Sequence, residues 1–343
     1  MVWGMRVVVT GGAGYVGSAL VSCLLGRGFE ILSLDNLSRG DYGVLDDYRD
    51  DPRLRVVVAD IRDRRRLEEV IRDFGVSETI FHLAAMPGLK LCRENPEEAI
   101  EVNVLGTFNV LEVARRLDIR RVIFASSAAV YGVPLKLPVD EGHRLRPVNL
   151  YGVTKLAGEN LMSLYHDNYG LETVVLRFGN IYGVGLFTRW ETVIPRFVKL
   201  ALEGKPLTIY GDGGSSRDFV HVWDIVEALR LSAEAEAGKV SGEVFNVGGE
   251  AVTVRDIAKI VMEEVKEYVG RGVEVVHLPP RVGETRELRY SMEKIKKRLG
   301  FSSKWTIRRG VKQLIEYYLN PVSYTHLRAH ETSLHLVCRL LLE

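Results

Sequence analysis

The chain has 343 residues, 46% of them hydrophobic and 27% charged, with 33 glycines and 11 prolines. This composition excludes a disordered chain, a collagen and a coiled coil, and suits one large or two modest globular domains. Its 46 Lys and Arg nearly balance 45 Asp and Glu, so no net field draws it onto nucleic acid or an anionic membrane. Cys23, Cys92 and Cys338 are too few for a disulfide framework, and no two stand at metal-ligand spacing, which points to a reducing compartment. The first residues lack a basic stretch, a long apolar core and a small-residue cleavage site, and no later run approaches a membrane span, so a cytoplasmic location is expected. Gln313 is the one glutamine; poverty in thermolabile amides fits a heat-loving source and equally a drift in base composition.

Short β-branched runs at 6–10, 30–34, 54–59, 79–83, 121–126 and 173–177 alternate with segments of helical periodicity, which predicts a βαβ series. These runs are almost continuously apolar, so they suit strands covered on both faces of a parallel, doubly wound α/β sheet. Between the first two, Val16, Ala19, Leu20, Cys23 and Leu24 make one stripe of a helix, with Cys23 a core residue of it. Segments 96–117 and 148–169 read as long helices. After Arg177 come Gly-rich loops suited to ligand binding and a helix over 193–202. A βαβ-like return then runs through Phe219, a helix over 224–235 and a strand over 244–247. The last 21 residues, 323–343, share none of this texture; they resemble translated adapter sequence and are set apart from the fold. Their His326 and His330 stand four apart, but the Glu that HExxH places after the first His is missing, so no metal site is expected.

Gly11, Gly14 and Gly17 form GxxGxxG between the first strand and the first helix. Glycine permits the tight turn there and lets backbone N–H groups approach a pyrophosphate, whose charge the helix N-terminus favours. Asp35 ends the second strand, where a carboxylate accepts hydrogen bonds from an adenosine ribose and repels a 2′-phosphate. NAD is thereby favoured over NADP, with Arg39 close enough to weaken the preference. Tyr151 and Lys155 share one face of a predicted helix, and an ammonium beside a phenol helps to make it a base. Tyr290 and Lys294 repeat the spacing. Tyr151, however, follows Ser126 and Ser127 at the end of a predicted strand, where active-site residues of open α/β sheets gather, so Tyr290 is expected at a surface helix position.

GGAGYVG at 11–17, Asp35-Asn36, Asp60-Ile61, HLAA at 82–85, Asn103, SSAAVYG at 126–132, YGVTK at 151–155 and RDFVHVWD at 217–224 stand in order along the chain. Together they resemble the extended short-chain dehydrogenase/reductases of the NAD-dependent epimerase/dehydratase family, most nearly the UDP-hexose 4-epimerases such as UDP-glucose 4-epimerase, over about residues 5–318. The resemblance implies that Gly11, Gly14, Tyr15, Val16, Gly17, Asp35 and Asn36 hold NAD, with Asp60 and Ile61 at the adenine. Ala84, Ala85, Asn103, Tyr151 and Lys155 would line the rest of the cofactor. It makes Ser127, Tyr151 and Lys155 catalytic, with Ser127 and Tyr151 also touching the sugar. Asn180 would contact the substrate, Arg217 and Arg281 its diphosphate, and Glu284 the ribose. Guanidinium forks suit phosphate oxygens on bare chemistry as well. Residues 193–195 and 207–210 would pack around the base, and are explained equally well as core. Departures fall at Gly88 and Cys92, where the family has polar residues; Lys90 between them reads as solvated, and His82 and His221 as core histidines.

The implied architecture is a Rossmann-type sheet holding NAD over 5–179 and 217–249, with a smaller C-terminal substrate-binding domain over 180–216 and 250–320 and a tail over 321–343. The implied activity is 4-epimerisation of a UDP-hexose through a 4-keto sugar, with NAD regenerated in each cycle. A 4,6-dehydratase or decarboxylase, an oxidoreductase releasing NADH and a noncatalytic dinucleotide-binding protein are the other readings. Ala128 and Ala129 speak against the first two, because dehydratases and decarboxylases of the family place acidic groups just after the catalytic hydroxyl. Apolar stripes over 102–117 and 150–165 exceed what one sheet face needs, and the resemblance implies that such helices pair into a homodimer.

Overall fold

The computed structural model describes residues 4–75, 77–279 and 287–320. The six early runs form β1 (Arg6–Thr10), β2 (Glu30–Asp35), β3 (Leu54–Val58), β4 (Thr79–His82), β5 (Arg121–Ser127) and β6 (Glu172–Phe178), each within a residue or two of the expected bounds. After them come β7 (Asn180–Tyr182), β8 (Leu207–Tyr210), β9 (Ser216–His221), β10 (Glu243–Val247), β11 (Glu250–Thr253) and β12 (Val275–Leu278). The main sheet has the order β10-β6-β5-β4-β1-β2-β3 with every pair parallel, a Rossmann-type doubly wound arrangement whose order reverses between β1 and β4. That reversal opens the crevice in which such sheets bind ligands.

The first-half helices are α1 (Tyr15–Leu25), α2 (Arg64–Phe74), α3 (Leu89–Glu94), α4 (Pro96–Ile100), α5 (Gly106–Arg116) and α6 (Leu150–Tyr169). Then follow α7 (Val193–Leu202), α8 (Val222–Glu234), α9 (Ala237–Val240), α10 (Val254–Val269), α11 (Glu293–Leu299) and α12 (Ile307–Leu319). Alternate strand residues serve opposite layers, as the period of two requires. Val7, Val9 and Ile123 pack with Leu20 and Leu24 of α1 and Ile225 and Leu229 of α8, while Val8, Val122 and Phe124 face Val70 of α2, Leu111 of α5 and Met162 of α6. Each fully buried side chain of this size is worth about 1.5–3 kcal/mol of transfer free energy. A third core joins α7, α10 and α12 through Phe197, Val261 and Leu314.

Three differences from expectation have local causes. β3 is one of the two edge strands of the sheet, and unlike β10 at the other edge its valine run is not covered on both faces, with Val58 60% exposed. The segment at 96–117 stays helical, but α4 runs into α5 through a π-helical turn, Glu101–Leu105, that the periodicity did not announce, and Asn103 in that turn is buried. The return through Phe219 is divided, because β9 pairs with β7 and β11 in a separate small sheet, whereas α8 after it packs on α1 and β10 rejoins the main sheet.

Candidate active site

Gly11 leaves β1 at φ +74°, and its N–H donates to Leu34 O at 2.7 Å, which pins the loop to β2. A Cβ on Gly11 would lie 2.7 Å from Ala84 N, and one on Gly17 would lie 2.0 Å from Gly11 O, so both positions admit only glycine. α1 begins at once, with Gly14 as a cap that offers no side chain to the free N–H groups of the first turn. Those groups face a cleft of about 880 Å³, walled by Gly11, Gly14, Tyr15, Val16, Gly17, Asp35, Asn36, Ile61, Ala84 and Ala85 among others. Asp35 accepts from Ala13 N at 3.1 Å and Leu37 N at 2.9 Å, which orients its carboxylate at the end of β2, and burial pushes its acidity down.

Farther along the cleft, β5 ends at Ser127, whose Oγ accepts from Ala129 N at 3.2 Å and starts a tight turn. α6 starts where it does because Asn149 caps it, accepting from Gly152 N at 2.9 Å, and it ends at Gly170 in the left-handed conformation. Its first turn carries Tyr151, whose phenol lies beside the Ser127 side chain, and the next carries Lys155, whose Nζ donates to Ala125 O at 2.8 Å. The ammonium lies 4.9 Å from the Phe124 ring centre and 6.0 Å from that of Tyr151. All three catalytic candidates therefore meet at the C-terminal edge of the sheet, in the cleft wall. The sequence calls for two cations, Lys155 and the nicotinamide ring, to make this phenol a base. In the chain alone, burial pushes Tyr151 up to about 12, a rise that the Ser127 hydroxyl beside it only partly offsets, and pulls Lys155 down to about 8. The chain by itself holds a neutral phenol.

The opposite wall is the 183–192 loop. Tyr15 Oη donates to Gly183 O at 2.6 Å, and Thr188, Arg189 and Glu191 face the cleft, with Arg189 Nε donating to Glu191 Oε1 at 2.7 Å. The loop is braced from behind by α12: Gln313 Oε1 accepts from Val184 N at 3.1 Å and lies 2.8 Å from His221 Nε2, while Trp190 stacks on Tyr317.

Residues 7–248 match the NAD dependent epimerase/dehydratase family. The chain belongs to this family. It is an extended short-chain dehydrogenase/reductase, and its cofactor is NAD. Among its relatives is a putative UDP-glucose 4-epimerase of Methanocaldococcus jannaschii, 34% identical over 317 residues that span 92% of this chain and 98% of that one. The solved UDP-glucose 4-epimerase of Thermus thermophilus, a complex with NAD, is 33% identical and superposes with a TM-score of 0.81, covering 93% of this chain and 100% of that one. UDP-glucuronic acid decarboxylase 1 of Arabidopsis thaliana is also similar, 30% identical over 325 residues, with 93% and 71% of the two chains covered. The residues fit the family's cofactor: the glycine cradle has no room for a Cβ, the α1 N-terminus is uncapped, and Asp35 stands ready for a ribose.

Not every sequence candidate reaches the wall. Asp60 lies outside it, gripped by Arg62 and by Asn36 Nδ2 at 2.9 Å and held at about 2. Asn103 also stands behind the wall, bonding Met86 N at 2.7 Å and Met86 O at 3.1 Å, and thus shapes the loop after β4. Asn180 is in the wall; Arg217 is half-buried on β9 outside it, its Nη1 donating to Ser216 O at 2.8 Å. Arg281, Glu284, His326, His330 and Cys338 lie outside the described residues. His82, between the hydroxyls of Thr10 and Thr107, and His221, stacked on Trp305, are buried and depressed to about 3 by that burial, as core histidines should be. Lys90 is exposed beside Glu94, and Cys23 packs partly buried against the core. The expectation for Tyr290 fails: it is buried, precedes α11, and its hydroxyl has no hydrogen-bond partner among the described residues.

Sequence reasoning missed Thr188, Arg189 and Glu191, because the loop that bears them has no period to read. It also missed Glu159, although a carboxylate one turn beyond Lys155 on the same helix face was there to see.

Proposed function

We propose that the chain interconverts a UDP-hexose and its 4-epimer through a transient 4-keto sugar. The observation that carries this reading is the joint placement of Ser127, Tyr151 and Lys155 at the sheet edge, with only the methyl groups of Ala128 and Ala129 following the catalytic hydroxyl. NAD, held by the glycine cradle and Asp35, would supply the hydride acceptor for C4 of the sugar and a second positive charge near the Tyr151 phenol. Tyr151 takes the proton from the 4-hydroxyl and later gives it back. Ser127 holds the same oxygen by a hydrogen bond, and Lys155 keeps an ammonium behind the phenol. Asn180 contacts the sugar nucleotide, and Arg217 and Arg281 its diphosphate, with Glu284 at the ribose. Asp60 and Asn103 serve the cofactor from behind the wall. The similarity to UDP-glucose 4-epimerases supports the reading. The similarity to a UDP-glucuronic acid decarboxylase keeps decarboxylation as the second reading.

The test is a panel of UDP-sugars with product analysis and no added NAD. The expected product is the 4-epimer without net NADH. A 4-keto-6-deoxy sugar or a pentose overturns the reading, and no conversion of any sugar revives a noncatalytic role.

We further propose that the 5–179 and 217–249 segments form the NAD domain and that the enzyme is a cytoplasmic homodimer. Val153 and Leu164 on α6 and Ile100 and Leu105 before α5 stand about half exposed on adjoining elements, an apolar surface that a second copy would cover. Sedimentation at micromolar concentration should give a dimer; monomer alone rejects it. Among the described residues no helix is long and apolar enough to cross a membrane.

A further inference from the structure

Ser126, Arg177 and Asn246 stand side by side at one register on β5, β6 and β10. α6 sets Glu159 onto this row. Arg177 grips it with Nε 3.0 Å from Oε1 and Nη2 2.7 Å from Oε2, and Ser126 Oγ donates to Oε1. Arg177 Nη1 donates to the Tyr131 hydroxyl at 2.9 Å, which in turn donates to Asn246 Oδ1 at 2.6 Å. The Arg177 and Glu159 side chains are only 4% and 5% exposed. A pair so buried is a poor source of stability, since desolvating both charges offsets most of their attraction and apolar residues of the same volume often do as well. Its place in the fold suggests another use. Ser126 immediately precedes Ser127, and Glu159 follows Lys155 by one helical turn and Tyr151 by two. One ion pair thus ties the strand bearing the catalytic hydroxyl to the helix bearing the tyrosine and lysine.

We propose that Glu159, locked by Arg177, is a positioning residue of the catalytic centre: it keeps α6 in register against β5 and holds an anion one turn behind Lys155. The groups that face Lys155 are Tyr151 and Glu159 from its own helix, Cys92 from α3, His82 from β4, and the Phe124 ring and Ala125 carbonyl from β5. Burial pushes the Cys92 thiol up and keeps His82 neutral, which leaves Glu159 as the carboxylate of this set, and an amide in its place would leave the Arg177 guanidinium uncompensated behind Lys155. The Glu159 field favours the ammonium that burial opposes.

The activity arm of the test rests on the function proposed above; the titration arm does not, because it uses the resting protein without sugar. With carbon-13 in the lysine side chains, and the Lys155 resonance assigned by its absence from Lys155→Met, the titration midpoint in Glu159→Gln should fall by about one pH unit below wild type. Glu159→Asp, which keeps the anion, should hold the wild-type midpoint. Turnover in Glu159→Gln should fall about tenfold or more with KM within about threefold, as misplacement of the reacting groups requires. A Lys155 midpoint unmoved in a Glu159→Gln protein that melts like wild type overturns the proposal. Should Glu159→Gln not fold, Glu159→Asp carries the test: its shorter reach should lower turnover several-fold at constant KM, and wild-type turnover overturns the proposal.

Discussion

Two stretches of the chain carry a tyrosine four residues before a lysine, and the fold treats them in opposite ways. Tyr151 and Lys155 both lie within α6, so the spacing puts them on one face, in the cleft, beside Ser127. Tyr290 lies outside α11, bridged to Val139, so the same spacing has no geometric meaning there: the tyrosine is buried against Tyr131, while Lys294 turns away to Glu243 at 2.7 Å and over the Phe245 ring at 5.2 Å. A motif is thus a statement about a helix, and it fails when the helix begins one turn late.

The comparison can be broken most sharply at the tyrosines. Tyr151→Phe should cut turnover by about a hundredfold or more while NAD stays bound, the usual weight of a positioned general base, and Tyr290→Phe should leave turnover near wild type. Steady-state kinetics beside measurement of bound NAD decides it; equal losses in the two variants would erase the distinction.

The lysines sharpen it through pH. Lys155 titrates near 8 in the folded chain against an ordinary value of 10.5, so below pH 8 both states are charged and the folded state bears the full cost of a buried ammonium. Between those values the folded chain has released the proton while the unfolded chain still holds it, so stability from this group rises with pH. The difference in Tm between wild type and Lys155→Met should therefore move in favour of wild type as pH climbs from about 8 to 10.5. Lys294→Met should cost only a partly exposed pair with Glu243, worth about 0–1 kcal/mol. The smallest effect belongs to Tyr290→Phe on stability. Removing a buried hydroxyl that has no partner among the described residues should leave stability unchanged or raise it by about 1 kcal/mol at most, and a clear fall in Tm would show that the hydroxyl is satisfied.

The parallel sheet was legible because β-branched runs have a fixed meaning when both faces are covered, and the glycine loop because sterics leave no alternative at Gly11 and Gly17. β3 misled for the same reason: an apolar run does not say whether it will be the last strand of the sheet. The π-helical turn around Asn103 could not be read either, since it answers to Met86 and Thr154 across the fold rather than to its neighbours in the chain. Protonation was the least legible property of all. Spacing places Lys155 behind Tyr151, but the neutral phenol follows from how deeply both are enclosed, which only the packed structure states.

The bracing of the 183–192 loop by α12 has a consequence for the order in which the protein assembles during synthesis. Every strand of the main sheet, with the glycine loop, Asp35 and the tyrosine–lysine pair, has been synthesised once β10 is made. The facing wall is not complete then, because Gln313 and Tyr317, which seat Val184 and Trp190, emerge some seventy residues later. The wall that carries Val184 and Trp190 is therefore completed only when α12 docks, after the chain of the main sheet and its glycine loop has been made.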